Sequence, residues 1–172
     1  MKKLKEILFK VNIDSVYGNT EINVSKITFD SREVKNSSLF VAISGHNYDG
    51  HDYISQSVKN GASVVVCENL PTNFKENNIV FICVSCSKTA LSIIASNFFD
   101  NPSSKIDLIG ITGTNGKTTI SSLLNNLFDE LKVKSGLIST INIKYGEFIE
   151  NSNNTTPDPI TINFHLSEMI KR

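Results

Sequence analysis

The stretch from Lys105 to Leu131 limits the possible folds more than any other part of the chain. KIDLIGIT reads as a buried strand that runs into a loop with glycines at 110, 113 and 116. Beyond the loop, Ile120, Leu123, Leu124, Leu127, Phe128 and Leu131 recur at i, i+3, i+4, i+7, i+8 and i+11, the spacing of one helix face. Strand, glycine loop and helix in that order open a doubly wound α/β domain. The loop, TGTNGKTT at 112–119, can turn its backbone amides inward at a helix N-terminus, where they hold phosphate oxygens. Lys117 adds a point charge for the β- and γ-phosphates, and the Thr118 hydroxyl is placed to ligate Mg²⁺. Gly113, Thr114, Asn115, Gly116, Lys117, Thr118 and Thr119 are therefore predicted to bind ATP, with Lys117 and Thr118 as the catalytic pair. The match to G-x-x-x-x-G-K-[ST] is imperfect, because its first glycine would fall at Ile111.

After the helix, SGLISTI reads as a second strand and INIKYGEFIENS as a hairpin turning near Gly146. PDPITINFHLSEMIKR reads as a helix with Pro157 in its first turn and Thr156 as N-cap. Asp129, Glu130, Glu147 and Glu150 look like helix-face or hairpin charges, so no second acidic metal ligand is identified after Thr119. Upstream, ITFDS, SLFVAIS, SVVVCE and IVFICV are strand-like. DYISQSVKNG reads as a helix ending at Gly61, and Leu91, Ile94, Ala95 and Phe98 mark another. FFDNPSSK has the composition of a linker, so the expected domains are 1–102 and 103–172. A parallel α/β domain usually has about five or six strands, and the second domain is expected to be cut short.

Seventeen basic and seventeen acidic residues give a net charge of zero, which argues against a nucleic-acid or anionic-membrane surface. No apolar run is long enough to span a bilayer. Leu4, Ile7, Leu8 and Val11 make the basic N-terminus a short amphipathic helix rather than a secretory signal. A monomer in the cytoplasm is expected. Cys83 and Cys86 form a C-x-x-C without a second pair, so a buried strand cysteine and a cysteine near a helix start are expected instead of a metal or redox site.

TGTNGKTT resembles the ATP loop of the Mur ligases, the amide-forming enzymes that build the peptidoglycan stem peptide. The segment from Asp30 to Val66, with DSREV and GHNYDGHDY, resembles the N-terminal domain of the UDP-N-acetylmuramoyl-tripeptide synthetases. NTTPD, Asn154 to Asp158, is similar to their motif for the muramoyl-peptide part. The resemblance implies a small N-terminal α/β domain for the uridine diphosphate end, followed by the truncated start of the central ATP domain. Ser31 would then partner the nucleotide, Phe29 would lie beside the uracil, and Arg32 would serve the diphosphate or a salt bridge. Gly45 and Gly50 would frame a tight loop whose His46, Asn47 and Tyr48 line the uracil. Asn154, Thr155 and Thr156 would hold a phosphate or sugar oxygen. His51 and Asp52 read as helix-start residues, and His165 as a helix-face residue, rather than as ligands.

The implied reaction uses ATP and Mg²⁺ to phosphorylate the carboxylate of UDP-N-acetylmuramoyl-L-alanyl-D-glutamate. The amine of L-lysine or meso-diaminopimelate then attacks the acyl phosphate. The family's acidic magnesium ligand, carboxylated lysine and C-terminal domain have no counterpart before Arg172, so a truncated chain inactive by itself is expected. The competing readings are the ligase that adds the terminal dipeptide, a folylpolyglutamate synthase, and a non-catalytic fragment that binds ATP or a UDP-sugar.

Overall fold

The structure is a computed structural model describing residues 1–45, 48–71, 78–152 and 154–172. The chain divides into two compact units, Met1–Asp100 and Asn101–Arg172.

In the first unit the elements run β1 (Lys2–Lys3), α1 (Leu4–Ile7), β2 (Ser15–Tyr17), β3 (Asn23–Val24), β4 (Lys26–Thr28), β5 (Ser38–Val41), α2 (Ile54–Lys59), β6 (Ala62–Cys67), β7 (Val80–Cys83) and α3 (Ser87–Phe98). Among the described residues five strands form one sheet in the order β2-β7-β6-β5-β4. β4 to β7 run parallel, and β2 closes one edge antiparallel, with Ser15 opposite Cys83. The inner strands SLFV, ASVVVC and VFIC are near-continuous apolar runs because a parallel sheet is covered on both faces. Phe40, Val65 and Phe81 are buried with Val34, Ile54 and Ala62 in the core on one side.

The N-terminal helix is shorter than its apolar spacing predicts. Only Leu4 to Ile7 are helical, and both of those end residues are fully buried. Buried Asn97 holds it in place, its Nδ2 donating to Ile7 O at 2.9 Å and Phe9 O at 2.6 Å. Lys2 Nζ donates to Asn97 O and to Asp100 Oδ1.

The second unit holds a 3-10 turn at Pro102–Ser104, then α4 (Lys117–Glu130), β8 (Gly136–Ile138), β9 (Asn142–Tyr145), β10 (Phe148–Asn151) and α5 (Pro159–Lys171). β10-β9-β8 is an antiparallel meander whose hairpin turns at Gly146, as predicted. Two expectations fail here. The KIDLIGIT segment forms no strand, and Leu108 and Ile109 are 56% and 62% exposed. A continuous apolar run becomes a buried strand only between parallel neighbours, and the described strands of this unit pair only with one another.

The N-cap of α5 is Asp158, not Thr156. Its Oδ1 accepts from Ile160 N at 2.9 Å and Thr161 N at 3.0 Å, and Pro159, not Pro157, occupies the first turn. The helix α4 forms as predicted. Its apolar stripe lies open, however, with Ile120, Leu123, Leu127 and Leu131 all exposed.

His165 lies on a face of α5, as expected, and that face is buried. It packs among Tyr145, Phe148 and Phe164, with Nδ1 3.3 Å from the Tyr145 hydroxyl. Burial holds it below the ordinary 6.5, and Glu150 and Glu168 oppose that shift only in part. The unfolded chain therefore takes up this proton more readily, so the contribution to stability is full above 6.5 and is lost as pH falls. The thermal midpoint of this unit is expected to drop as pH falls through 6.5 and below. His165→Phe should flatten that dependence in a denaturation series.

The cysteines lie on the elements the sequence suggests, but Cys83 is half-buried rather than buried. Cys83 ends β7 and exposed Cys86 is the residue before α3, whose N-cap it forms. Cys67, buried beside Cys83 on the neighbouring strand, is pushed up to about 12 by burial.

Candidate functional site

In the second unit the chain turns into α4 at Gly116, which has φ +79, a left-handed conformation that favours glycine. The first amides of a helix have no acceptor within it, so those of Lys117, Thr118 and Thr119 are open to an anion. The Lys117 ammonium folds back over the loop, donating to Gly113 O at 2.6 Å and Thr114 O at 3.3 Å. Gly113, Thr114, Asn115 and Gly116 are exposed, while Lys117 and Thr118 are half-buried. Open amides and a cation at one helix end fit a polyphosphate.

A cavity of about 1160 Å³ brings Lys117, Thr118 and Ser121 together with Thr155 and Thr156. Segments nearly forty residues apart in sequence thus share one space, and Ser121 is a lining residue that motif matching alone did not single out. Gly113, Thr114, Asn115, Gly116, Thr119 and Asn154 do not line it. The Asn154 carbonyl instead accepts the Ser152 hydroxyl at 2.7 Å. For a magnesium ion the donors are sparse. Asp107 and Asp129 line the cavity, but Asp129 is paired with Lys144 at 2.8 Å. Among the described residues no three acidic, thiol or imidazole groups cluster as metal ligands.

In the first unit the predicted residues gather at the carboxyl ends of the parallel strands, where open α/β sheets bind ligands. Phe29 follows β4 and is part-exposed, and Ser31 is buried in a 3-10 turn capped by Asp30. Tyr48, 75% exposed, stands on the loop after β5. His46 and Asn47 lie outside the described residues. Arg32 makes the salt bridge of its two alternatives, with Nη2 2.6 Å from Asp30 Oδ2 and Nε 2.9 Å from Oδ1. That guanidinium holds Asp30 below the usual carboxylate range.

The loop after β5 closes tightly. Gly50 N–H donates to Ile43 O at 2.8 Å, and a Cβ at Gly50 would lie 2.5 Å from Ile43 N. Glycine is required there by close approach. His51 and Asp52 lie in the 3-10 turn that precedes α2, as expected.

The family model described as Mur ligase family, catalytic domain, matches residues 23–103, and that described as Mur ligase middle domain matches 111–172. The UDP-N-acetylmuramoyl-L-alanyl-D-glutamate–2,6-diaminopimelate ligase of Cytophaga hutchinsonii is 44% identical over 169 residues, which are 98% of this chain and 35% of its own length. The ligase of the same name from Bacteroides fragilis is 43% identical over 97% of this chain and 34% of its own length.

A solved 2,6-diaminopimelate ligase of this name has the same fold, with a TM-score of 0.68 at 19% identity over 99% of this chain and 34% of its own. The MurF ligase of Thermotoga maritima in complex with ADP gives a TM-score of 0.55 at 28% identity over 81% of this chain and 29% of its own. The chain thus spans about a third of the length of the curated relatives it matches. Two models of one family, matching in order along most of the sequence, show that this chain belongs to the Mur ligase family.

Proposed function

We propose that these residues form the uridine-end and ATP-loop parts of a ligase that joins 2,6-diaminopimelate to UDP-N-acetylmuramoyl-L-alanyl-D-glutamate. The observation that carries this reading is the shared cavity, which Lys117 and Thr118, in the first turn of α4, line together with Thr155 and Thr156. The names of the sequence relatives favour diaminopimelate over lysine, and over the dipeptide-adding and folate-type alternatives.

ATP, when bound, would supply the phosphoryl group that activates a carboxylate. The chain's own residues do the positioning. The first-turn amides of α4 orient phosphate oxygens, and the Lys117 ammonium moves from carbonyl to phosphate contact, neutralising charge there. Thr118 offers one hydroxyl to a magnesium ion. Thr155 and Thr156 present hydroxyls to the sugar or phosphate side of the substrate, and Phe29, Ser31 and Tyr48 receive the uridine.

Calorimetry with ADP and magnesium is expected to show Lys117→Ala weakened by about 1.5–3 kcal/mol, the worth of a charge-assisted contact. NMR titration with UDP-N-acetylmuramoyl-L-alanyl-D-glutamate should shift resonances at Ser31 and Tyr48. Equal ADP affinity in the variant would remove Lys117 from the site, and unmoved resonances would remove the uridine assignment.

A further inference from the structure

The loop from Ile43 to Gly50 is fastened to the sheet by a side chain that the site described above leaves unused. Within the loop, Ser44 and Asp49 pair as an antiparallel bridge, and Gly45 N–H donates to Tyr48 O at 2.9 Å. These bonds close the loop on itself. His51 carries the connection onward. Its Nδ1 lies 2.6 Å from Asp49 Oδ1, and its Nε2 accepts Glu68 N–H at 2.9 Å. A ring nitrogen that accepts an amide leaves the proton on the other, so Nδ1–H donates to Asp49.

The same Asp49 oxygen accepts His51 N–H at 3.0 Å. Glu68 directly follows β6, and its Oε1 accepts Ser87 N–H at 2.8 Å at the start of α3. One hydrogen-bonded chain therefore runs from the loop through His51 to the ends of β6 and α3. The His51 side chain is only 15% exposed, so water competes weakly for these bonds.

We propose that His51 is a positioning residue for the uridine end of the substrate, holding the loop and its Tyr48 against the carboxyl edge of the sheet. The inference rests on reading the first unit as the uridine-binding part. The chemistry needs a flat side chain with a donor on one side and an acceptor on the other, which neutral histidine supplies. Without it the loop keeps its internal bonds and loses its anchor. A loop that adopts the binding arrangement a fraction f of the time raises the apparent Kd by 1/f. Losing two side-chain hydrogen bonds, one of them to a carboxylate, is worth roughly a tenfold loss of affinity. A purely stabilising histidine would lower the melting temperature and leave the affinity of the folded protein unchanged.

The test uses the 172-residue chain, titrated calorimetrically with UDP-N-acetylmuramoyl-L-alanyl-D-glutamate and, separately, with ADP. His51→Phe keeps the ring without either hydrogen bond, and His51→Gln restores one donor and one acceptor. The expected result is a roughly tenfold weaker UDP-ligand affinity in His51→Phe, with partial recovery in His51→Gln. ADP affinity should not change, and the Glu68 amide should exchange hydrogen faster. Unchanged UDP-ligand affinity in a folded His51→Phe, with the Glu68 amide released, overturns the proposal. Should His51→Phe fail to fold, Asp49→Ala cuts the same tie on the loop side. A similar loss then supports the proposal, and unchanged affinity overturns it. If the unsubstituted chain takes no UDP ligand while still binding ADP, the uridine reading itself fails and the inference falls with it.

Discussion

A polypeptide of these 172 residues, given ATP, magnesium, UDP-N-acetylmuramoyl-L-alanyl-D-glutamate and 2,6-diaminopimelate, is expected to form amide product, counted by mass, at least about a hundredfold more slowly than a typical turnover of about 10 per second. Ligation holds three reactants in near-attack geometry, and such positioning supplies about 7–11 kcal/mol of the barrier. On the proposed reading the described residues supply a phosphate cradle and a uridine edge. They do not offer a clustered acidic metal site, and the chain spans about a third of its relatives' length. Losing even half of the positioning term slows a typical turnover of about 10 per second by about 2.5 to 4 orders of magnitude. ADP binding in the same preparation separates missing chemistry from a misfolded sample. Product at about one per second would mean that the chemistry needs fewer parts than this.

Phe40→Ala is expected to cost the first unit about 3–5 kcal/mol, as buried aromatic truncations do. Phe40 lies on β5 between β4 and β6 and is fully buried against Ile54, Val65, Phe81 and their neighbours. Both flanking strands are hydrogen-bonded to it, so the backbone cannot collapse into the space left behind. Leu127→Ala in the second unit makes the contrast. The two residues are of similar apolar character, but Leu127 is 52% exposed on α4 and its loss should stay within about 0.5 kcal/mol. Urea denaturation followed by signals from each unit gives both numbers. A Phe40→Ala loss below about 1 kcal/mol would show that this core is looser than its burial indicates.

The inner strands and the glycine loop were legible because local pattern and tertiary environment agree there. Continuous apolar runs mean burial on two faces, and Gly-Lys-Thr before an amphipathic repeat means a helix start. Ser15–Tyr17 gave no such signal. It is three residues long and is made a strand by pairing with Phe81–Cys83, far away in sequence. The N-cap was misplaced because Pro157 and Pro159 compete for the first turn. Asp158 resolves the choice, since its extended backbone, φ −66 and ψ 163, satisfies both an N-cap and a residue before proline. KIDLIGIT has the composition of an inner strand, but composition does not supply neighbours. At the candidate site, the helix start at Gly116 could be read from spacing, whereas the His51 bond to Glu68 N–H could not, because only the folded sheet brings the two together.

The antiparallel edge formed by Ser15–Tyr17 also fixes an order in time. A chain leaves the ribosome from its N-terminus at about 5–20 residues per second. β2 therefore waits for Phe81–Cys83, and α1 waits for Asn97, whose amide holds the Ile7 and Phe9 carbonyls. β4, β5 and β6 can associate earlier, since they are joined by shorter connections and lose less entropy on closure. Long-range pairing of this kind also slows refolding of the finished chain. In the second unit, β8 to β10 close through sequence-local turns and incur no such delay. Ser15–Tyr17 and the Ile7 and Phe9 carbonyls are thus made long before the partners that fix them.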